Sequence, residues 1–137
     1  MTDWSEAMSV GHRGIDDQHR GLVERVKALN AALSLPDDAV SVETVAALAA
    51  EFLTAYKAHI AFEELAMHQY YYANVDRHAE HHAVYLEALT TLMTSDPVVE
   101  ALRVNQPFIN SAVFDHIDRD DRDFGAHLRA SGLYGKV

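Results

Sequence analysis

Five histidines and two carboxylates are spaced so that helices could turn all of them to one interior: His19, His59 with Glu63, His78 with His82, and His116 with Asp121. His59/Glu63 and His78/His82 are i, i+4 pairs, which point the same way from a helix. One such pair is common by chance. Ligand-type groups on every expected helix imply a metal centre held inside a bundle.

The simpler reading is that each histidine is an ordinary hydrogen-bonded core residue. It is the better one for any single position and a poor one for five together with Glu63 beside them. An unpaired buried carboxylate costs several kcal/mol, and metal ligation removes that cost. Imidazole nitrogen and carboxylate oxygen suit iron, zinc, copper or manganese about equally by softness. Seven ligands are too many for one tetrahedral zinc and suit two metals bridged by the carboxylates. His-Glu-x-x-His and Glu-x-x-His are both absent from the sequence, which leaves a zincin protease and a ferritin-like carboxylate bundle unsupported.

These groups need helices to position them. Residues 1–14 read as an irregular segment punctuated by Gly11 and Gly14, with Trp4 available to pack on the bundle. A first helix is expected from about Ile15 to Leu33, with Ile15, His19, Leu22, Val26 and Leu29 on one face. Pro36-Asp37-Asp38 breaks it and Ser41 resembles the next start. The second helix carries Val45, Leu48, Phe52, Ala55, His59, Phe62, Ala66 and Tyr70 as its stripe. Tyr72-Ala73-Asn74 reads as a turn, and Val75, His78, His82, Tyr85, Leu89 and Leu92 form the third stripe. Ser95-Asp96-Pro97 reads as a cap followed by a first-turn proline. The last helical region runs to about Ala130, with Pro107 kinking it or splitting off a short piece and Gly132 ending it. The fold class expected is all-α, an antiparallel up-down-up-down four-helix bundle with an irregular N-terminal segment, forming one domain over residues 1–137.

Composition bounds the function. About half of the 137 residues are apolar, an ordinary globular share. A net charge of −10 argues against nucleic acid or an anionic membrane as partner. The chain has no cysteine, which excludes disulfides, thiolate metal sites, Fe–S clusters and thiol catalysis. No stretch reads as a membrane span, and the first residues lack the pattern of a signal peptide, so the expected location is cytoplasmic.

The aspartate is the ambiguous ligand. Spacing favours Asp120, at i+4 from His116, because i+5 rotates about 140° around a regular helix. The apolar stripe favours Asp121, in register with Ile117, Phe124 and Leu128, and leaves Asp118, Arg119, Asp120, Arg122 and Asp123 as the solvated face. A local π turn would ease the longer spacing.

The chain resembles the hemerythrins, in their single-domain bacterial form. The resemblance is carried by Ile15-Asp16-Asp17-Gln18-His19, His59-Ile60-Ala61-Phe62-Glu63-Glu64 followed by Met67, His78-x-x-x-His82-x-x-Tyr85, and His116-Ile117-x-x-x-Asp121, and it extends from Trp4 and Val10-Gly11 to the end. It implies two non-heme irons with a bridging oxo or hydroxo group. His78, His82 and His116 would bind one iron and His19 and His59 the other. Glu63 and Asp121 would bridge both; the family pattern agrees with Asp121. The resemblance further implies an open position on the second iron, where the family binds O2. Gln18, Asp16 and Glu64 are adjacent in sequence to ligands and are candidates to accept the outer N–H groups of the imidazoles.

The departures from the family pattern are informative. Ala112 and Val113 stand where the family usually has Trp-Leu, Ile60 where it has phenylalanine, Phe124 where tyrosine is frequent, and Ala73 where proline is common. Smaller side chains at 112 and 113 predict a roomier pocket beside the open iron. His12, His68, His81 and His127 are surplus to the ligand set, the Tyr70–Tyr72 run reads as bundle-end packing, and Met8, Met67 and Met93 as core fillers.

The expected function is reversible binding of O2, or of another small diatomic or anionic ligand, for delivery, storage or sensing, and not catalysis. A reductase or O2-consuming enzyme would be the protein partner. The alternative is a di-iron enzyme acting on peroxide, nitric oxide or O2 in oxidant defence, and a third reading is a plain iron reservoir.

Overall fold

The computed structural model describes residues 3–137, and the first two residues of the expected irregular segment lie outside that range. The segment before the bundle holds one short 3-10 turn at Glu6–Met8. Helix α1 runs Arg13–Leu33, α2 Val42–Gln69, α3 Val75–Met93, α4 Val98–Val104, α5 Gln106–His116 and α6 Arg122–Ala130, with a π turn at Ile117–Asp121 joining the last two. Four long arms result, the fourth being α5, the π turn and α6 in one continuous rod. No strand is present among the described residues.

The helix boundaries follow local chemistry. His12 caps α1 by accepting the Ile15 N–H at its Nδ1, 3.3 Å away, and Ser41 caps α2 by accepting the Thr44 N–H at 3.2 Å. Pro97, not Ser95, occupies the cap position of α4; the Ser95 hydroxyl instead bonds back to the Thr91 carbonyl at 2.6 Å. Pro107 lies in the first turn of α5, where its missing N–H costs nothing, and so splits α4 from α5 at Asn105. Gly132, at φ +74, ends α6. The Leu133 N–H reaches the Leu128 carbonyl at 2.8 Å and the Gly132 N–H reaches Arg129 at 3.2 Å, the paired bonds of a Schellman stop.

Helix α1 packs along α2 and α5, α2 along α3, and α4 closes one end against α1, α2 and α3. Ile15, Leu22, Val26, Leu29, Phe52, Leu89, Leu102 and Ile109 are buried, and each such side chain contributes roughly 1.5–3 kcal/mol. Phe62 is not part of this core. It is 38% exposed and packs edge-on against His12, ring centroids 5.7 Å apart. Tyr71 is likewise exposed, whereas Tyr72 is buried and its hydroxyl donates to Asp123.

By length and composition α2 could cross a membrane, with mean hydropathy 1.2 over its most apolar stretch, contrary to the sequence expectation. Its inward face nevertheless presents His59 and Glu63, both buried, between α1 and α3. It is the core helix of the bundle.

Candidate metal centre

All seven expected ligand residues are brought together, and all are buried. Each helical arm supplies at least one: His19 from α1, His59 and Glu63 from α2, His78 and His82 from α3, and His116 and Asp121 from the fourth. Their donor atoms form two groups that share both carboxylates. One group is His78, His82, His116, Glu63 and Asp121; the other is His19, His59, Glu63 and Asp121; within each, the donor atoms lie within 4.8 Å of one another.

The carboxylates straddle the two groups oxygen by oxygen. Glu63 Oε1 lies 2.8 Å from His78 Nε2 and 3.2 Å from His82 Nε2. Its Oε2 lies 3.3 Å from His19 Nε2 and 3.2 Å from His59 Nε2. Asp121 repeats the arrangement, with Oδ1 2.9 Å from His78 and 3.2 Å from His116, and Oδ2 3.0 Å from His19. His78, His82 and His116 therefore lie on the side of Glu63 Oε1 and Asp121 Oδ1, and His19 and His59 on the side of Oε2 and Oδ2.

The π turn explains the aspartate. Its Arg122 N–H bonds to the Ile117 carbonyl, an i→i+5 closure. That widened turn brings Asp121, five residues beyond His116, back to the interior. Asp120, four residues beyond, accepts the His116 Nδ1–H at 2.8 Å. Spacing thus identified a real partner of His116, and the apolar stripe identified the inward carboxylate. Asp120 is not merely part of the solvated face.

The outer nitrogens are oriented in the same manner. His59 Nδ1–H donates to Gln18 Oε1 at 2.8 Å, and His82 Nδ1–H donates to Glu64 at 2.7 Å. Asp16 does not serve an imidazole. It accepts the Ser9 hydroxyl at 2.5 Å and the Val10 N–H at 2.9 Å, which pins the N-terminal segment to α1. His81 approaches only Asp120, at 3.8 Å, and His127 bonds the Tyr70 carbonyl at 2.7 Å.

This donor set fits two borderline metal ions. With Nδ1 of His82 and His116 both turned to carboxylates, their Nε2 atoms face one another only 3.0 Å apart. Two nitrogens so placed need a cation to share. Asp121 Oδ1 and Oδ2 and His59 Nε2 are buried without a hydrogen-bond partner among the described residues, and buried polar groups are normally satisfied. Protons are the alternative occupants. Burial pulls His19 and His78 down, but the adjacent Asp121 and Glu63 carboxylates outweigh it and hold the imidazoles at about 9 and about 10. Burial would raise Glu63, but the charge of His59 and the closely placed His19, His59 and His78 rings hold it well below the usual carboxylate range. For Asp121, burial and the Glu63 charge push upward, and His116 and His19 outweigh them to give a net lowering.

A small cavity of about 10 Å³ borders both ligand groups, at His19, His59, His82, His116 and Asp121, and is otherwise lined by Leu22, Tyr56, Ile60, Ala112, Val113 and Ile117. This space is close to one small molecule in size. Tyr56 occupies the same wall and was not singled out from the sequence. Its step of four from Phe52 to the buried Ile60 was the available signal. Burial, then the charges of Asp121 and Glu63, push its phenol above the ordinary range, so the hydroxyl keeps its proton.

An all-α bundle with two buried, carboxylate-sharing ligand groups defines a protein whose core residues are close enough to coordinate metal. The chain belongs to the hemerythrin family: residues 10–128 match the hemerythrin HHE cation binding domain. A comparison with curated proteins found no match.

Proposed function

We propose that this chain is a non-heme di-iron protein that takes up O2 reversibly, for delivery or storage, and does not turn it over. The observation carrying this reading is the asymmetry of the two groups. The His19/His59 pair has one imidazole fewer than the His78/His82/His116 trio, and the cavity that borders both groups, at His19, His59, His82 and His116, is sized for one small molecule. Two ferrous ions held by these seven residues would supply the two electrons that O2 accepts on binding and returns on release.

The protein's own contribution is positioning and exclusion. Glu63 and Asp121 fix the separation of the two metal positions from two different helices. Gln18, Glu64 and Asp120 hold three imidazoles with Nε2 inward. Leu22, Ile60, Val113 and Ile117 wall the cavity with apolar surface, which keeps bulk water away from the occupant.

The test is anaerobic reduction of the iron-loaded protein, addition of O2, and then purging with argon. A visible band that appears with O2 and disappears under argon is expected. Sustained consumption of peroxide or nitric oxide would make the site an enzyme, and an unchanged spectrum would leave only iron storage.

A further inference from the structure

Of the cavity-lining side chains outside the ligand set, Tyr56 alone is polar; Leu22, Ile60, Ala112, Val113 and Ile117 make up the rest. Tyr56 is 2% exposed, and its hydroxyl has no hydrogen-bond partner among the described residues. Such a group is uncommon, because a buried hydroxyl without a partner forfeits the hydrogen bonds that it makes with water in the unfolded chain. Its ring is held in place by Phe52 one helical turn earlier, with centroids 5.8 Å apart. The orientation is thus set by packing and not by the hydroxyl.

Sequence and shape agree on where that hydroxyl is useful. Tyr56 precedes Ile60 by one turn of α2 and His59 by three residues, so it shares the face that looks toward the His19/His59 pair. Ala112 and Val113 line the same cavity of about 10 Å³ with small side chains. A neutral O–H in an apolar wall is a donor with nothing to donate to until a ligand arrives.

We propose that the Tyr56 hydroxyl donates a hydrogen bond to the small ligand taken up beside His19 and His59. The inference rests on the di-iron reading above. It implies a preference for ligands that gather negative charge when bound, such as O2 or nitric oxide, because a preoriented donor in a water-poor cavity acts most strongly on developing charge. Tyr56 then governs how long such a ligand stays.

Nitric oxide, a diatomic of the size of O2, is the probe, applied to reduced iron-loaded wild-type protein and Tyr56→Phe. In the wild type the N–O stretching band is expected to move when water is replaced by D2O. In Tyr56→Phe the band should lie elsewhere, lose its D2O dependence, and accompany nitric oxide release about two- to tenfold faster, the equivalent of one hydrogen bond. The metal-free variant should melt no lower than wild type, since no protein group loses a partner. An identical band, identical D2O shift and identical release rate in the variant would overturn the proposal while leaving the di-iron reading intact. A lower melting temperature of the metal-free variant with unchanged nitric oxide behaviour would overturn it too, by showing a structural partner for the hydroxyl. A wild-type protein that takes up no iron would overturn the underlying reading instead.

Discussion

Asp120 and Asp121 are chemically identical neighbours with different work, and the difference is set by which way one turn of backbone points them. Asp121 faces both metal positions, with Oδ1 toward His78 and His116 and Oδ2 toward His19. Asp120 reaches the same His116 from outside, at Nδ1. Asp121→Ala and Glu63→Ala are therefore expected to lose at least one iron per chain, because each removes an oxygen from both groups. Asp120→Ala should keep the ligand set and bind iron roughly 10–100-fold more weakly, as is typical when the partner of a ligating imidazole is removed. Metal analysis across an iron titration separates the two; full loss in Asp120→Ala beside full retention in Asp121→Ala would reverse the assignment. Sequence alone made His19, His59, Glu63, His78, His82 and His116 legible, since polar side chains in register with leucines on several helices must satisfy one another or a shared ion. It missed Tyr56, which reads as one more aromatic on an apolar helix until its hydroxyl is seen to lack a partner.

At the scale of elements, the helices were legible wherever one face only was apolar. The α1 stripe is buried as expected from Ile15 to Leu29. In α2 apolar residues occur on both sides, so the stripe through Phe62 slipped off the true face, which runs through Phe52, Tyr56, Ile60 and Glu63. The π turn is an exception to the 3.6-residue repeat and could be named only as a way to reconcile two conflicting aspartates. Because His59 and Glu63 sit far from the N-terminus of α2, a change at that helix end should affect stability and not metal binding. Ser41→Ala removes the hydroxyl that accepts the Thr44 N–H and should cost about 1 kcal/mol. Ser41 lies roughly 27 Å along α2 from His59 at 1.5 Å per residue. Denaturant unfolding should therefore show the loss, with iron content unchanged. A drop in iron content would mean that the site is coupled to the end of α2.

For the whole molecule, the ligand cluster ties folding to protons when metal is withheld. His19 and His78 titrate at about 9 and about 10 in the folded chain, against an ordinary value of 6.5. Their charged forms thus stabilise the metal-free fold fully below about pH 6.5, and that contribution is lost as pH rises through 9 and 10. Glu63 and Asp121 are lowered from ordinary values of 4.5 and 3.8; their contribution is present above those values and is lost as pH falls through their low folded ones. The metal-free protein should therefore melt highest between about pH 4.5 and 6.5 and progressively lower toward pH 10. Iron loading must expel the protons on these rings, so it should release protons at neutral pH and raise the melting temperature. A metal-free melting temperature that is flat or rising between pH 6.5 and 10 would contradict the cluster's charge pairing.

The central claim is that one buried cluster holds two irons through shared carboxylates, and metal content tests it most directly. Protein loaded anaerobically with excess ferrous iron, freed of unbound metal and measured by elemental analysis, should contain two irons per chain. The stoichiometry follows from the two donor groups that share Glu63 and Asp121. One metal per chain at saturation, or one zinc retained in place of iron, would contradict it.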